Sequence, residues 1–274
     1  MSLSLRDRYC AALRPDRVDL VRRLRGYKSP IDLKQSVPLE PAVDDAPWLA
    51  AIATLQGMIA GAAVASGELT VVLSNHFVRY LVVPWDDKVG STEEYQRYAR
   101  IAFENVFGET ARSWMIHVSP ERMGAPRLAS AIDAELDTAL QQVGGSKLKL
   151  VSIQPYLMAA FNRLGDSFRK RNFFFLLAEP GRACVLAAAG GAWRMVRNHA
   201  AADDASISQL VERELRLLET GAGPVPRLYV HAPGFRQLKL PIVNGVAPRV
   251  LALPAMPGFV PDTDGARSMA LAAA

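Results

Sequence analysis

Cysteine and histidine are scarce in this 274-residue chain. Both cysteines, Cys10 and Cys184, lie in apolar strand-like runs, and neither belongs to a Cys-x-x-Cys pair. The histidines stand singly, at His76, His117, His199 and His231. Metal-binding and disulfide frameworks use closely spaced or multiple ligands, so the spacing favours buried free cysteines and satisfied strand-end or loop histidines. No metal-ligating residue is predicted.

Motifs for common catalytic sites are also missing. The chain has no Gly-x-x-x-x-Gly-Lys-Ser/Thr, Gly-x-Gly-x-x-Gly or Gly-x-Ser-x-Gly pattern, which argues against a P-loop, a dinucleotide site and a hydrolase elbow. Gly144-Gly145-Ser146-Lys147 is superficially similar to a phosphate loop but precedes a strand, so a plain turn is predicted. Ser74-Asn75-His76 could supply a nucleophile and a base only if a distant Asp completed the site, and the side chains of neighbouring residues rarely face each other. No catalytic or cofactor-binding residue, and no cofactor, is predicted.

Long hydrophobic runs are few. The longest, Trp48 to Ala65, is interrupted by Gln56, Gly57 and Gly61 and is at the short limit for a membrane span. Helical spacing of its large apolar residues predicts a buried or half-buried helix instead. The N-terminal region lacks the basic-then-apolar pattern of a signal peptide, so we expect a cytoplasmic location, with a peripheral place at the inner membrane left open.

Charge is modestly basic, at +5 with a pI near 9.4. Arginines are concentrated between residues 6 and 25, which could favour nucleic acid or anionic lipid. They alternate with apolar residues, however, and no ladder of stacking aromatics accompanies them. A solvated face of a sheet is the preferred interpretation, and nucleic acid is not expected as a partner.

One hairpin pattern occurs twice, about 165 residues apart. Cys10–Arg17 (CAALRPDR) and Phe175–Arg182 (FLLAEPGR) each predict an apolar strand, a turn containing proline and a second strand. Predicted strands cover 7–13, 18–25 and 31–38 in the first copy, and 172–178, 183–188 and 192–197 in the second. Duplication of one supersecondary unit would produce this pattern, and so would chance.

Helices and further strands follow each three-strand group. The box Ser91-Thr92-Glu93-Glu94 predicts a helix start, with Tyr95, Tyr98, Ala102, Phe103 and Val106 on its apolar face. Leu128, Ile132, Leu136 and Leu140 predict a helical stripe, and the tail after Leu240 is predicted to be irregular and frayed at its end. Meandering strands followed by alternating helices and strands predict an α/β protein with mixed sheets. Two domains are predicted, 1–165 and 166–274.

Two segments give a family resemblance. Thr70–Trp85 (TVVLSNHFVRYLVVPW) is similar to the strand pair ending in proline of the actin-like proteins of type IV pilus and type II secretion machinery. Gly191–Arg197 (GAWRMVR) is similar to the turn and arginine-bearing strand of their second half. The family comprises the PilM-type pilus assembly protein, the cytoplasmic domain of type II secretion protein L and MshI-type relatives. The resemblance implies duplicated actin-like (ribonuclease H-like) mixed sheets flanked by helices.

Nucleotide binding in actin-like ATPases uses two hairpins with an Asp-x-Gly pattern, which this chain lacks. The corresponding places hold Ala12 and Arg14 in the first hairpin, and Leu177 and Glu179 in the second. The Gly-Gly turn near the adenosine is replaced by a turn whose Pro233 has no backbone donor. Without both carboxylates, and with side chains at the glycine positions, we expect little or no ATP hydrolysis.

The resemblance therefore implies a non-catalytic cytoplasmic scaffold, a pseudo-ATPase, that binds inner-membrane pilus or secretion platform proteins. Homo-oligomer formation and a weak membrane-surface contact stay open. An alternative is an ATP-binding ATPase or sugar-kinase-like enzyme that uses other carboxylates, such as Asp16 or Asp203-Asp204. A third is a lipid- or nucleic-acid-binding module that uses the arginine cluster.

Overall fold

A computed structural model describes the chain except residues 1–5, 28, 41–45, 62, 169–171, 202, 220–226, 236–237, 239, 241, 243–244 and 246. Its contacts divide it into two compact units. Unit 1 comprises Met1–Val78, Ala134–Arg163 and Leu253–Ala274, and unit 2 comprises Arg79–Asp133 and Leu164–Ala252. This division differs from the contiguous domains 1–165 and 166–274, because an insertion belongs to unit 2 and the C-terminal segment returns to unit 1.

The secondary structure follows the order β1–β3, α1, β4, β5, α2, β6, β7, α3, β8, α4, β9–β11, α5, β12, β13, α6, α7. The strands are β1 (Asp7–Leu13), β2 (Arg17–Arg23), β3 (Ile31–Pro38), β4 (Gly67–Leu73), β5 (Arg79–Val83), β6 (Trp114–Val118), β7 (Arg127–Asp133), β8 (Leu148–Pro155), β9 (Phe173–Glu179), β10 (Gly181–Ala189), β11 (Ala192–Ala201), β12 (Arg227–His231) and β13 (Arg249–Val250). The helices are α1 (Leu49–Ala60), α2 (Thr92–Phe107), α3 (Ala134–Gln142), α4 (Tyr156–Arg163), α5 (Asp204–Glu219), α6 (Pro261–Asp264) and α7 (Ser268–Leu271).

The same sheet topology occurs in both units. Unit 1 has the strand order β3-β2-β1-β4-β8, and unit 2 has β11-β10-β9-β12-β13. In each sheet the first three strands in sequence pair antiparallel, and the central strand pairs parallel with the strand that follows the helix. The hairpin pattern that occurs twice in the sequence therefore corresponds to a repeated sheet, and the predicted mixed α/β architecture is confirmed.

Central strands of both sheets are buried on both faces. All residues of β9 are buried, as are the last five residues of β1. Such continuous apolar strands are typical of parallel pairing beneath helices. In unit 1 α1 packs against β1 and β2, and in unit 2 α5 packs against β9 and β11. Cys10 on β1 and Cys184 on β10 are free, buried thiols, as predicted, and burial raises the pKa of Cys10 to about 12.

Unit 2 also contains an antiparallel three-stranded sheet, β5-β7-β6, covered by α2. The predicted capping box is present: the amide of Glu94 donates to Ser91 Oγ at 3.1 Å, and the amide of Ser91 donates to Glu94 Oε2 at 3.1 Å. Tyr95 and Phe103 are buried, as the predicted face requires. Val106 was placed on that face by its spacing, but it is 58% exposed near the end of the helix.

The predicted helical stripe from Leu128 to Leu140 is wrong in its first half. Leu128 and Ile132 lie on β7, and only Leu136 and Leu140 lie on α3. A spacing of four residues puts side chains on one face of a strand as well as on one face of a helix. Spacing alone could not separate the two elements.

The end of the C-terminal segment is helical and buried over residues 268–271, contrary to the predicted frayed tail. α7 packs against β1, β2 and β4, and Leu271 is completely buried. The amide of Ile31 donates to the carbonyl of Pro257 at 2.8 Å. At Gly258, φ is +81° and a Cβ would lie 2.0 Å from the Ile31 carbonyl oxygen, so glycine is needed for this close approach.

Three arginines of the N-terminal cluster form ion pairs with aspartates. Arg14 pairs with Asp16, and Arg17 pairs with the buried Asp19, at the β1–β2 hairpin and on β2. A third pair joins Arg22 on β2 to Asp32 on β3 at 2.6 Å. These pairs neutralise three of the seven arginines that the sequence concentrates between residues 6 and 25.

Candidate functional site

Two strand ends of unit 1 lie together where ligands commonly bind in α/β sheets. β1 and β4 are parallel neighbours, and the amide of Ser74, just after β4, donates to the carbonyl of Leu13 at 3.0 Å. Ligand sites in open α/β sheets form outside the carboxyl ends of the strands. The first hairpin and the turn after β4 are therefore the first places to look for a functional site.

The turn Ser74-Asn75-His76 is a polar structure held by its own side chains. Ser74 Oγ lies 2.9 Å from His76 Nδ1 and accepts the backbone amide of His76 at 3.2 Å. Asn75 Oδ1 accepts the amide of Leu157, in the first turn of α4, at 3.3 Å. The expectation that the neighbouring side chains do not meet is wrong, because the turn folds Ser74 back on His76.

Burial limits what this turn can do chemically. Ser74 and Asn75 are fully buried, while His76 is half-buried. A buried polar group needs hydrogen-bond partners, and the first amides of a helix have none within the helix. Asn75 Oδ1 is such a partner for the amide of Leu157 at the start of α4. The contacts of the turn thus join β4 to α4.

The first hairpin is closed by a charge pair. Arg14 Nε and Nη2 donate to the two carboxylate oxygens of Asp16 at 2.9 and 2.8 Å. Such a two-point pair fixes the planar guanidinium against the carboxylate. Arg14, the cation that could attract phosphate, and Asp16, the carboxylate of the alternative ATPase reading, are thus occupied with each other. Ala12, at the expected aspartate position, is completely buried.

The second hairpin is tight and carries a buried carboxylate. Glu179 is directly opposite Arg182 in the pairing of β9 with β10, and only 4% of Glu179 is exposed. Gly181 takes a left-handed φ of +79° in the turn. A Cβ on Gly234 would lie 3.6 Å from Cδ of Pro180, so the loop after β12 approaches this proline closely. Burial, followed by the charge of Glu179, raises the pKa of Cys184 well above its ordinary value, so no reactive thiolate forms there.

Asp203, a second carboxylate of the alternative ATPase hypothesis, caps α5. Its Oδ1 accepts the amide of Ser206 at 2.8 Å, and its own amide donates to Ser206 Oγ at 3.1 Å. Hydrogen bonds from the backbone and side chain of Ser206 lower the pKa of Asp203, while its slight desolvation opposes them. This is the reciprocal geometry of a helix N-terminus. Within the described part of the chain, no three His, Cys, Asp or Glu side chains cluster as a metal site would require.

The remaining histidines occupy separate places. His231 ends β12, is almost completely buried, and its Nδ1 lies 2.9 Å from the carbonyl oxygen of Leu251. Burial lowers the pKa of His231, and that hydrogen bond opposes the shift. His199 Nε2 is 3.5 Å from Glu214 Oε1, and His117 is exposed on β6.

None of the helices that can be described is long and apolar enough to cross a bilayer.

Comparison with known proteins identifies the fold. No family model and no curated protein matches the sequence. A chain of the solved PilM-PilN type IV pilus biogenesis complex matches with a TM-score of 0.67 at 15% identity, covering 97% of this chain and 98% of that one. The cytoplasmic domain of EpsL, an inner-membrane component of the type II secretion system of Vibrio cholerae, matches with a TM-score of 0.60 at 11% identity, covering 96% and 94%.

A third solved structure supports the same assignment. A Bacteroides thetaiotaomicron protein with an actin-like ATPase fold and unknown function matches with a TM-score of 0.54 at 10% identity, covering 85% of this chain and 83% of that one. The repeated mixed sheets and these similarities confirm the fold that the sequence resemblance implied. The chain has the actin-like fold, in the form seen in PilM and in the cytoplasmic domain of EpsL.

Proposed function

We propose that this protein is a non-catalytic actin-like scaffold of a type IV pilus or type II secretion-like envelope machine. It acts at the cytoplasmic face of the inner membrane and binds membrane-embedded platform proteins. The observation that carries the proposal is the similarity to PilM and the EpsL cytoplasmic domain over nearly the whole length of all three chains. A scaffold of this kind needs its folded surface rather than a reacting centre.

The chemistry of the two hairpins supports the non-catalytic part. A magnesium-bound nucleotide needs carboxylates that organise the metal and backbone amides that approach the phosphates. In the first hairpin the carboxylate of Asp16 is held by Arg14. In the second hairpin the buried Glu179 would repel phosphate, and in the turn after β12 Pro233 has no backbone N–H to donate. These residues do not fit the bound nucleotide of an actin-like ATPase.

Thermal unfolding with and without ATP and magnesium tests this part. A ligand that binds only the folded state raises its stability, by about 2.7 kcal/mol at a hundredfold excess over Kd. We expect no shift of the unfolding midpoint at millimolar ATP and magnesium. Magnesium with inorganic triphosphate is the control, since it separates nucleotide recognition from general attraction of anions. A shift with ATP that triphosphate does not reproduce would refute the non-catalytic proposal.

The partner part requires a separate experiment. The tagged chain is incubated with detergent-solubilised inner membranes of the source cell, and the captured proteins are identified by mass spectrometry. We expect integral components of a pilus or secretion platform to be recovered, and heat-denatured tagged chain to recover none. Recovery of no such component would count against the scaffold proposal even if ATP fails to bind.

A further inference from the structure

A basic pocket lies in unit 1 at the amino ends of β1, β4 and β8. It encloses about 500 Å³, and its walls come from the residue before β1, the turn before β4 and the turn that joins α3 to β8. The lining residues are Arg6, Ser66, Gly67, Gly145, Ser146, Lys147, Leu148 and Lys149. These elements all belong to one compact unit, so the pocket is a property of that unit alone.

The pocket has three cationic lining residues and no acidic one. Lys147 Nζ donates to the carbonyls of Ala60 and Gly61 at 3.1 and 3.0 Å, which fixes the ammonium group at the end of α1. Two of its three protons are used in these bonds, so one remains for a ligand. Lys149 is exposed and forms no ion pair with the described residues.

Other charges nearby do not cancel this pocket. Glu68 is the cross-strand neighbour of Lys149, but it is not among the lining residues and forms no ion pair with Lys149 among the described contacts. Ser66 and Ser146 add exposed hydroxyl donors to the walls. Arg14, Arg17 and Arg22 of the N-terminal cluster, by contrast, pair with aspartates. The two lysines, Lys147 and Lys149, therefore bring positive charge to this pocket without an ion pair to a described acidic residue.

We propose that this pocket binds a phosphate group. Ammonium groups with hydroxyl donors suit the several acceptor oxygens of phosphate, and charged hydrogen bonds are about twice as strong as neutral ones. Three of the pocket's lining residues belong to Gly144-Gly145-Ser146-Lys147, the segment whose sequence resembles a phosphate loop. It leads into a strand rather than a helix, so the side chains of Lys147 and Lys149, and not a helix N-terminus, supply the attraction.

Two probes distinguish the sources of such a phosphate. Inorganic pyrophosphate, titrated by calorimetry, represents a soluble phosphate compound. Co-sedimentation with phosphatidylcholine vesicles, with or without phosphatidylglycerol, represents a lipid headgroup. Lys149→Glu is the test variant, and Lys88→Glu is the matched control because it makes the same change of net charge at an exposed site in unit 2.

We expect Lys149→Glu to weaken binding by about tenfold or more, because it replaces a charged hydrogen bond by repulsion. Lys88→Glu should change it by less than about twofold, because Lys88 does not line the pocket and an exposed charge that makes no direct contact with the ligand is screened by salt. If Lys149→Glu weakens binding of pyrophosphate alone, the ligand is a soluble phosphate compound. If it weakens binding to phosphatidylglycerol vesicles, the ligand is a lipid headgroup. Equal effects of the two variants, or no binding of either probe by the unaltered protein, would overturn the proposal. Its failure would leave the scaffold proposal untouched, because the pocket shares no residue with the two hairpins.

Discussion

Replacing Leu271 by alanine tests the C-terminal segment most directly. The sequence predicts a frayed tail, whereas the structure buries Leu271 completely on α7, which packs against β1, β2 and β4 of unit 1. Val260 lies in the same segment but is 53% exposed. Val260→Ala is therefore a control that truncates an apolar side chain of the tail without opening a cavity.

The expected loss follows from burial. Removing a fully buried leucine side chain costs about 2–5 kcal/mol, because transfer energy is lost and the cavity closes only in part. An unfolding entropy of roughly 2.1 cal/mol/K per residue, applied to 274 residues, converts this to a midpoint lower by about 4–9 °C. Val260→Ala should stay within about 0.5 kcal/mol of the unaltered protein.

Urea unfolding followed by circular dichroism, together with calorimetry, measures the difference. Because the chain forms two compact units, the slope of the urea transition is compared between variants, and equal slopes make the midpoints comparable. Equal stability of Leu271→Ala and Val260→Ala would show that α7 does not contribute to the core. The reasoning from its burial would then be refuted.

Two further predictions concern polar contacts. Burial by itself raises the pKa of Asp264, but hydrogen bonds from Lys34 and the amide of Val260, with the nearby cations, outweigh it and lower the pKa from 3.8. The carboxylate therefore stabilises the fold fully above the unfolded pKa, and this contribution is lost as the pH falls through the lower folded pKa. Asp264→Asn should lower the unfolding midpoint at neutral pH and flatten the decline of the midpoint below about pH 4. A dependence of the unfolding midpoint on pH that the substitution leaves unchanged would contradict this. Ser91→Ala removes the cap of α2 and should cost about 1 kcal/mol in urea unfolding, whereas Thr92→Ala next to it, on the helix side of the cap, should cost clearly less.

Local patterns predicted the strands and the repeated hairpin well. Alternating or continuous apolar residues bounded by Pro and Gly turns gave β1 and β3 with the bounds that the structure shows, and β9 within a residue. The capping box gave the start of α2 for the same reason, since its hydrogen bonds join residues three apart. In each case the interactions that define the element lie within the element itself.

The polar sites depended on contacts that the sequence does not reveal. Arg14 and Asp16 are two residues apart, and such a spacing allows a pair without requiring one. The sequence predicts a plain turn for Gly144-Gly145-Ser146-Lys147 because a strand follows it, and it predicts no functional role for Lys147 or Lys149. Only the fold brings them beside Arg6, about 140 residues away along the chain. The missed signal was the concentration of lysine around Gly144-Gly145-Ser146.

The sequence by itself determined the repeated hairpin, the mixed α/β class and the absence of Asp-x-Gly carboxylates, because each depends on residue type and short spacing. Only the tertiary structure decided that residues 79–133 belong with the second sheet and that the last residues return to the first. It also decided that a four-residue repeat is half strand and half helix at Leu128 and Leu136. Those outcomes depend on which distant surfaces bury one another, and the free energy of that burial belongs to the assembled sheets rather than to any segment alone.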